Sequence, residues 1–311
     1  MEWKHKNKIH RLLGIGASGL FLGIFTLNSP VFGAGPGTSA MSFVNLVSSV
    51  RGASLANATT AINSIDGYMT NPSGVANQRA PAVRLQLMNY VDSGRFYQVV
   101  ASVPFGYGVV GGDIGVFDYG QQSRTTFSDR SGSEGDSFGA RSQKLGITYA
   151  AEFSGITVGT TVSQLMQVLD SQSLTAWGVD VGATYPVSST LRVGVAMTQL
   201  TFKGQQSGSE YRPLPSAGRV GVVWTSDEWA WPTLISTDLV APSDEALYVQ
   251  GGIESNINPA VAMRVGYTSR AVFSQLSTGI GINIGDVGVD FSYHPSSQLG
   301  NFYRVGVGFK W

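Results

Sequence analysis

From residue 82 onward, apolar positions alternate with small or polar ones, and the pattern continues to the last residue. In the final stretch Tyr303, Val305, Val307, Phe309 and Trp311 share one face of an extended strand, while Phe302, Arg304, Gly306, Gly308 and Lys310 share the other. Successive side chains of a strand point to opposite faces, so one face is greasy with aromatic ends and its reverse is mostly small or charged. Leu191, Val193, Val195 and Met197 oppose Arg192, Gly194, Ala196 and Thr198 in the same way, and Val287, Val289, Phe291 and Tyr293 oppose Gly288, Asp290, Ser292 and His294. Such a strand has lipid outside and water inside. Fourteen segments carry the pattern: 82–91, 95–104, 107–119, 140–151, 156–169, 173–185, 190–203, 215–225, 231–240, 246–256, 260–269, 275–284, 286–294 and 301–310. The weakest are 95–104, 231–240 and 246–256, so twelve strands is the alternative count.

The expected fold is therefore all-β, a transmembrane antiparallel β-barrel of about 14 strands. The connections agree. Odd-numbered strands lead into the long loops 120–139 and 204–214, whereas even-to-odd links are mostly short, as at Ser188 and Ser189, residues 257–259 and residues 285–286. Long loops at one end and tight turns at the other are the asymmetry of an outer-membrane barrel. Phe309 and Trp311 read as a C-terminal assembly signal for the barrel assembly machinery.

The chain before residue 82 divides in two. Residues 1–33 read as a signal peptide for export: Lys4, Lys6, Lys8 and Arg11 precede an apolar stretch from Leu12 to Leu27, and Val31 and Gly33 suit a cut before Ala34. The alternative, a membrane anchor, needs a longer apolar run. Residues 34–81 are rich in Ala and Ser, lack alternation and suit short helices; turn signals follow at Asp66 and Gly67 and at Asn71, Pro72, Ser73 and Gly74. A 14-stranded barrel encloses more space than inward glycines and alanines fill. Residues 34–81 are expected to occupy that lumen as a hatch, leaving 82–311 as the barrel.

Composition narrows the function. Removing residues 1–33 takes four of 20 basic and one of 20 acidic residues, leaving a net charge of −3. No basic patch suggests nucleic acid. With no Cys, disulfides and thiolate metal sites are excluded. Charged residues make up 13% of the chain against about 25% on average, and glycine is abundant at 40 of 311. No apolar run after residue 33 reaches the ~18 residues of a spanning helix, so a closed barrel is the remaining membrane solution.

Catalysis is not expected. His294 is the one histidine beyond residue 33, placed beside Pro295, Ser296 and Ser297 at a strand mouth, where a polar rim residue is the plainer reading. No metal-ligand spacing or cofactor motif is present. Alternation turns Arg84, Asp180, Arg192, Arg264, Asp290 and Arg304 toward the lumen. They suit ion pairs within the lumen or with the N-terminal segment, or, alternatively, an amphiphile's head group. Tyr185, Trp224, Trp229, Trp231 and Tyr267, near strand ends, read as an interfacial girdle.

The run from Arg51 through Gly52, Ala53 and Ser54, then Asp66 and Gly67, then Asn71, Pro72, Ser73, Gly74, Val75 and Ala76, resembles the N-terminal hatch of FadL-type outer-membrane proteins. In the PorV/PorQ branch of that family the second motif is Asn-Pro-Ala-Gly-Leu-Ala; here Ser73 and Val75 replace Ala and Leu. Pro213, Leu214 and Pro215 leading to Arg219, and the stretch from Gly279 to Trp311, extend the resemblance over most of the chain beyond the signal. The resemblance implies a fourteen-stranded barrel in the bacterial outer membrane, with lipid around it. Its role would be either uptake of a hydrophobic or fatty-acid-like ligand or docking of a secreted protein in type IX secretion. Phe127 and Phe138 are the apolar residues of an otherwise polar loop 120–139, which favours uptake.

Overall fold

The computed structural model describes residues 39–90, 94–125, 127–132, 137–170, 172–203, 205–207, 210–270, 274–296 and 300–311. The expected signal at 1–33 lies outside them. Sixteen strands follow in order: β1 (Ala82–Asn89), β2 (Arg95–Phe105), β3 (Gly108–Ser123), β4 (Ser137–Phe153), β5 (Ile156–Leu169), β6 (Gln172–Pro186), β7 (Leu191–Lys203), β8 (Gln205–Ser207), β9 (Glu210–Arg212), β10 (Ala217–Ser226), β11 (Thr233–Pro242), β12 (Tyr248–Asn258), β13 (Val261–Thr268), β14 (Leu276–Ile284), β15 (Val287–His294) and β16 (Phe302–Lys310). Fourteen form one closed antiparallel barrel, and β8 and β9 form a separate hairpin.

The barrel closes where β1 meets β16, in a register running from Ala82 opposite Lys310 to Asn89 opposite Tyr303. The three weakly patterned segments form β2, β11 and β12, so the count is fourteen, not twelve. Both long loops differ from expectation. β3 and β4 continue their ladder out to Ser123 opposite Ser137, shortening the first loop. The second contains the β8–β9 hairpin. Polar strand extensions, such as residues 120–123 of β3, carry no apolar alternation, so the period-two signal is missing there.

Burial follows the alternation. On β16, Tyr303 and Val305 are 42% and 40% exposed while Arg304 between them is 8% exposed. On β2, Tyr97, Val99 and Val103 face out, and Phe96, Gln98, Val100 and Ser102 face in. Aromatics ring both ends of the outer face. Phe105, Tyr107, Phe153, Tyr185, Trp229, Trp231 and Trp311 stand exposed at the turn end, and Phe202, Tyr267 and Tyr303 toward the loop end. Trp224 packs edge-on against Trp229, with ring centroids 5.3 Å apart. At the turn end, Gly155 and Gly285 adopt φ of +83° and +61°, which tight turns require and glycine supplies without strain.

Residues 39–81 form short turns: 3₁₀ turns at Ser42–Leu46 and Pro72–Val75 and a one-turn helix at Val50–Ser54. The Ser49 hydroxyl caps that helix by accepting the Gly52 N–H at 2.8 Å. The helix contacts β13 to β16, and the Pro72–Val75 turn contacts β4 to β6, so the segment reaches well-separated parts of the closed sheet. It also carries much of the apolar core. Phe43 and Val44 pack with Met88, Phe96, Phe117 and Leu165; Ile65, Tyr68 and Val75 pack with Val100 and Val109; Leu55 and Ile62 pack with Val223.

Candidate functional site

Six charged side chains form a closed ring of alternating sign. Asp66 meets Arg84 at 3.1 Å, and Arg84 meets Asp290 at 3.1 Å. Asp290 meets Arg264 at 2.6 Å, and Arg264 meets Glu254 at 2.5 Å. Glu254 meets Arg51 at 2.6 Å, and Arg51 returns to Asp66 at 4.0 Å. Arg51 and Asp66 belong to the N-terminal segment; the rest sit on the inner faces of β1, β15, β13 and β12. The wall strands between them carry glycine at the crossing points. A Cβ on Gly281 of β14 would lie 2.5 Å from the Arg264 guanidinium, and one on Gly308 of β16 would lie 2.8 Å from that of Arg84. These glycines let the side chains reach across an intervening strand. Burying any one of the charges alone is costly, and the alternation compensates each. Burial acts to lower the Arg51 pKa, but the Glu254 and Asp66 carboxylates outweigh it and hold the guanidinium charged.

Three further contacts tie the N-terminal segment to the wall. Asp238 accepts from the Thr60 N–H at 3.0 Å and the Thr60 hydroxyl at 2.6 Å, and pairs with Arg219 at 3.3 Å. Tyr68 donates its hydroxyl to Asp113, which Lys144 also meets at 3.2 Å. Burial, then the Asp113 carboxylate, push the Tyr68 phenol well above its usual range, so it remains a donor. The Asn71 amide donates to the carbonyls of Thr60, Ala183 and Val195 at 2.7, 3.2 and 3.3 Å, while its oxygen accepts from the Ser73 N–H.

Two cavities flank the ring. The loop-end one has a volume of about 690 Å³ and is lined by Phe43, Leu46 and Ala53 from the N-terminal segment and by Met88, Tyr90, Phe117, Tyr119, His294, Phe302 and Arg304 from the barrel. Tyr90 stacks on Phe302 with centroids 5.1 Å apart, and Phe117 meets Tyr119 at 4.4 Å. Half-burial raises the Tyr90 phenol, leaving the ring neutral. Arg304 donates to the carbonyls of Leu46 and Ser48 at 3.1 Å and to the Ser48 hydroxyl at 2.7 Å; its Nε is buried without a partner. His294 Nε2, also buried and unpartnered, lines the same space. His294 therefore belongs to the cavity wall and not to an exposed rim, because its strand position turns it inward. The turn-end cavity, about 250 Å³, is lined by Arg51, Ser64, Asp66, Arg84, Asn283 and Lys310 among others.

The remaining residues singled out by sequence are dispersed. Asp180 accepts from the Gln199 N–H at a bulge between β6 and β7. Arg192 is half-buried with its Nε unpartnered, away from both cavities. Gly67 leaves no space for a side chain: a Cβ there would fall 2.2 Å from the Ile62 carbonyl oxygen, and one on Gly74 would lie 3.1 Å from the backbone of Ser64 and Tyr68. Pro72 lies against Gly159 of β5, where a Cβ would come within 2.5 Å of its backbone. Phe309 and Trp311 stack at 5.4 Å on the outer face. Sequence reasoning did not single out Glu254, Asp238, Tyr68, Asp113 or Lys144, and it named Arg219 only as part of the family resemblance. Alternation alone would have put the strand residues among these on inner faces; their partners have no local signal.

Among the described residues, no helix is long and apolar enough to cross a membrane, and no group of three or more His, Asp or Glu is placed to hold a metal ion. No family model and no curated protein matches the chain. Its fold is similar to solved structures. The Pseudomonas putida toluene transporter TodX aligns at a TM-score of 0.60 and 12% identity, over 91% of this chain and 99% of that one. A FadL homologue from Pseudomonas aeruginosa aligns at 0.54 and 10% identity, over 84% and 98%. A deltaS2 mutant of the TodX monoaromatic hydrocarbon channel aligns at 0.51 and 12% identity, over 82% and 96%. At these identities the likeness is one of fold.

Proposed function

We propose that this chain is a bacterial outer-membrane barrel that takes up hydrophobic or amphiphilic, fatty-acid-like molecules, with residues 34–81 as a hatch in its lumen. Residues 1–33 would direct export, and Phe309 and Trp311 would serve the barrel assembly machinery. The loop-end cavity is the observation that carries this reading. Its ~690 Å³ falls within the usual range for small-molecule sites. Its wall pairs aromatic surface for an apolar body with Arg304 for an anionic head, on a lining that also carries Asp244, Glu245 and Arg270. The fold likeness to TodX and to the FadL homologue supports the same class. Docking of a secreted protein, as in the PorV/PorQ branch, would draw on exposed Phe127 at the loop end; the loop-end cavity, with Tyr90, Phe117, Tyr119 and Phe302 in its wall, favours uptake.

The test is equilibrium binding to detergent-purified protein, with a long-chain fatty acid compared with its methyl ester. Saturable binding of the acid at one site, weakened more than that of the ester in Arg304→Gln, is expected. Absence of binding by either ligand, together with a stoichiometric co-purifying protein, would favour docking instead.

A further inference from the structure

The two cavities run along the same part of the wall, formed by β14, β15, β16 and β1. The helix Val50–Ser54 separates them: Ala53 lines the loop-end cavity, and Arg51, two residues away, lines the turn-end one. Arg51, Asp66 and Arg84, half of the charge ring, border the turn-end cavity at this division. The ring holds three guanidiniums and three carboxylates, so its charges cancel while all six are present.

We infer that the six-charge ring is the seal and charge filter of an ion pathway through the barrel, shut while Arg51 and Asp66 hold the helix Val50–Ser54 against the wall. An intact ring offers no net charge to draw an ion in, and its partners are spent on one another. Loss of one member frees a neighbour and leaves a net unit charge between the two cavities, where a low dielectric strengthens its effect. The sign of that charge sets which ions pass. Removing Arg51 leaves a surplus carboxylate, which admits cations. Removing Asp66 leaves a surplus guanidinium, which admits anions. A merely structural role for these residues predicts leakage of one selectivity from either variant.

The inference rests on the barrel spanning a bilayer, as proposed above, and not on the identity of any ligand. The test is current through planar lipid bilayers containing the full-length processed protein, its Arg51→Gln and Asp66→Asn variants, and Arg124→Gln at an exposed pair outside the ring. Faster migration of unheated than of heated samples on SDS gels certifies each barrel as folded. The unsubstituted protein and Arg124→Gln should be silent. Arg51→Gln and Asp66→Asn should conduct, with reversal potentials of opposite sign under a potassium chloride gradient. Should either fail to fold, Arg84→Gln replaces the first and Glu254→Gln the second, with the same pair of signs expected. Folded, inserted variants that stay silent, or conduct with one shared selectivity, overturn the filter and leave ligand uptake standing. A protein that never inserts overturns both.

Discussion

Arg51 and Glu254, 203 positions apart in sequence, meet through two parallel hydrogen bonds of 2.7 and 2.6 Å. A bidentate guanidinium–carboxylate pair is among the strongest polar contacts available. Here it joins the N-terminal segment to β12 inside the charge ring. Truncating one partner strands the other as a buried charge, at a cost of about 3–5 kcal/mol. Glu254→Ala should therefore expose residues 39–81 to protease in reconstituted membranes while the barrel stays folded. In a double-mutant cycle with Arg51→Ala the two losses should fall well short of additive. Additive losses would show that the pair is not coupled.

The wall glycine opposite Pro72 offers a steric test of the same docking. Gly159→Val suits a strand by propensity but places atoms where the Pro72 backbone lies, within 2.5 Å of the new Cβ. The expected outcome is a barrel that still resists SDS before heating, with rapid amide exchange across residues 70–76. Unchanged exchange there would contradict the packing of Pro72 against β5.

Asn71 links three stretches of backbone through one amide. Asn71→Ala leaves the Thr60, Ala183 and Val195 carbonyls short of a donor and removes the acceptor for the Ser73 N–H. Unsatisfied buried polar groups cost about 1–3 kcal/mol. Thermal unfolding should drop accordingly. Asn71→Asp should not rescue it, since a carboxylate cannot donate to the three carbonyls.

Outward facing can be tested by depth. Val305 lies mid-strand on the outer face of β16, and Tyr303 lies two residues nearer the loop end. Val305→Arg should destabilise the barrel by about 2–4 kcal/mol and Tyr303→Arg by about 0–1 kcal/mol in urea unfolding from lipid vesicles. Gly306 is no neutral comparison, because a Cβ there would come within 2.9 Å of Val50. Equal penalties at 303 and 305 would argue against a hydrocarbon-facing outer surface.

The aromatic cavity wall should matter to apolar ligands whatever their charge. Phe302→Ala removes the partner on which Tyr90 stacks at 5.1 Å. Binding of a fatty acid and of its methyl ester should weaken by similar factors, because the lost contact is with the hydrocarbon. Selective loss of the acid alone would move the head group to Phe302 and away from Arg304.

Much of the barrel was legible in the sequence because each strand advertises itself locally. A pleated backbone throws successive side chains to opposite faces, so an apolar outer face and a small or polar inner face write a period of two into any eight to ten residues. Fourteen strands, the inward turn of Arg84, Arg264, Asp290 and Arg304, and the outward turn of Val305 all come from that rule. Extended polar strand ends, as in β3 and β4, escaped it because there the two faces do not differ in polarity.

What only the tertiary structure decided is which inward groups meet. Asp66 and Arg84 are 18 residues apart in sequence, Arg84 and Asp290 are 206 apart, and no local pattern selects either pair. Closure of β1 on β16 brings the last strands beside the first, and glycines at 281 and 308 clear the way for side chains to cross. A buried charge must then find its opposite among the groups that closure delivers, whatever their distance along the chain. Sequence set the face of each residue through the geometry of the peptide unit; the closed sheet and the segment packed against it set the partner.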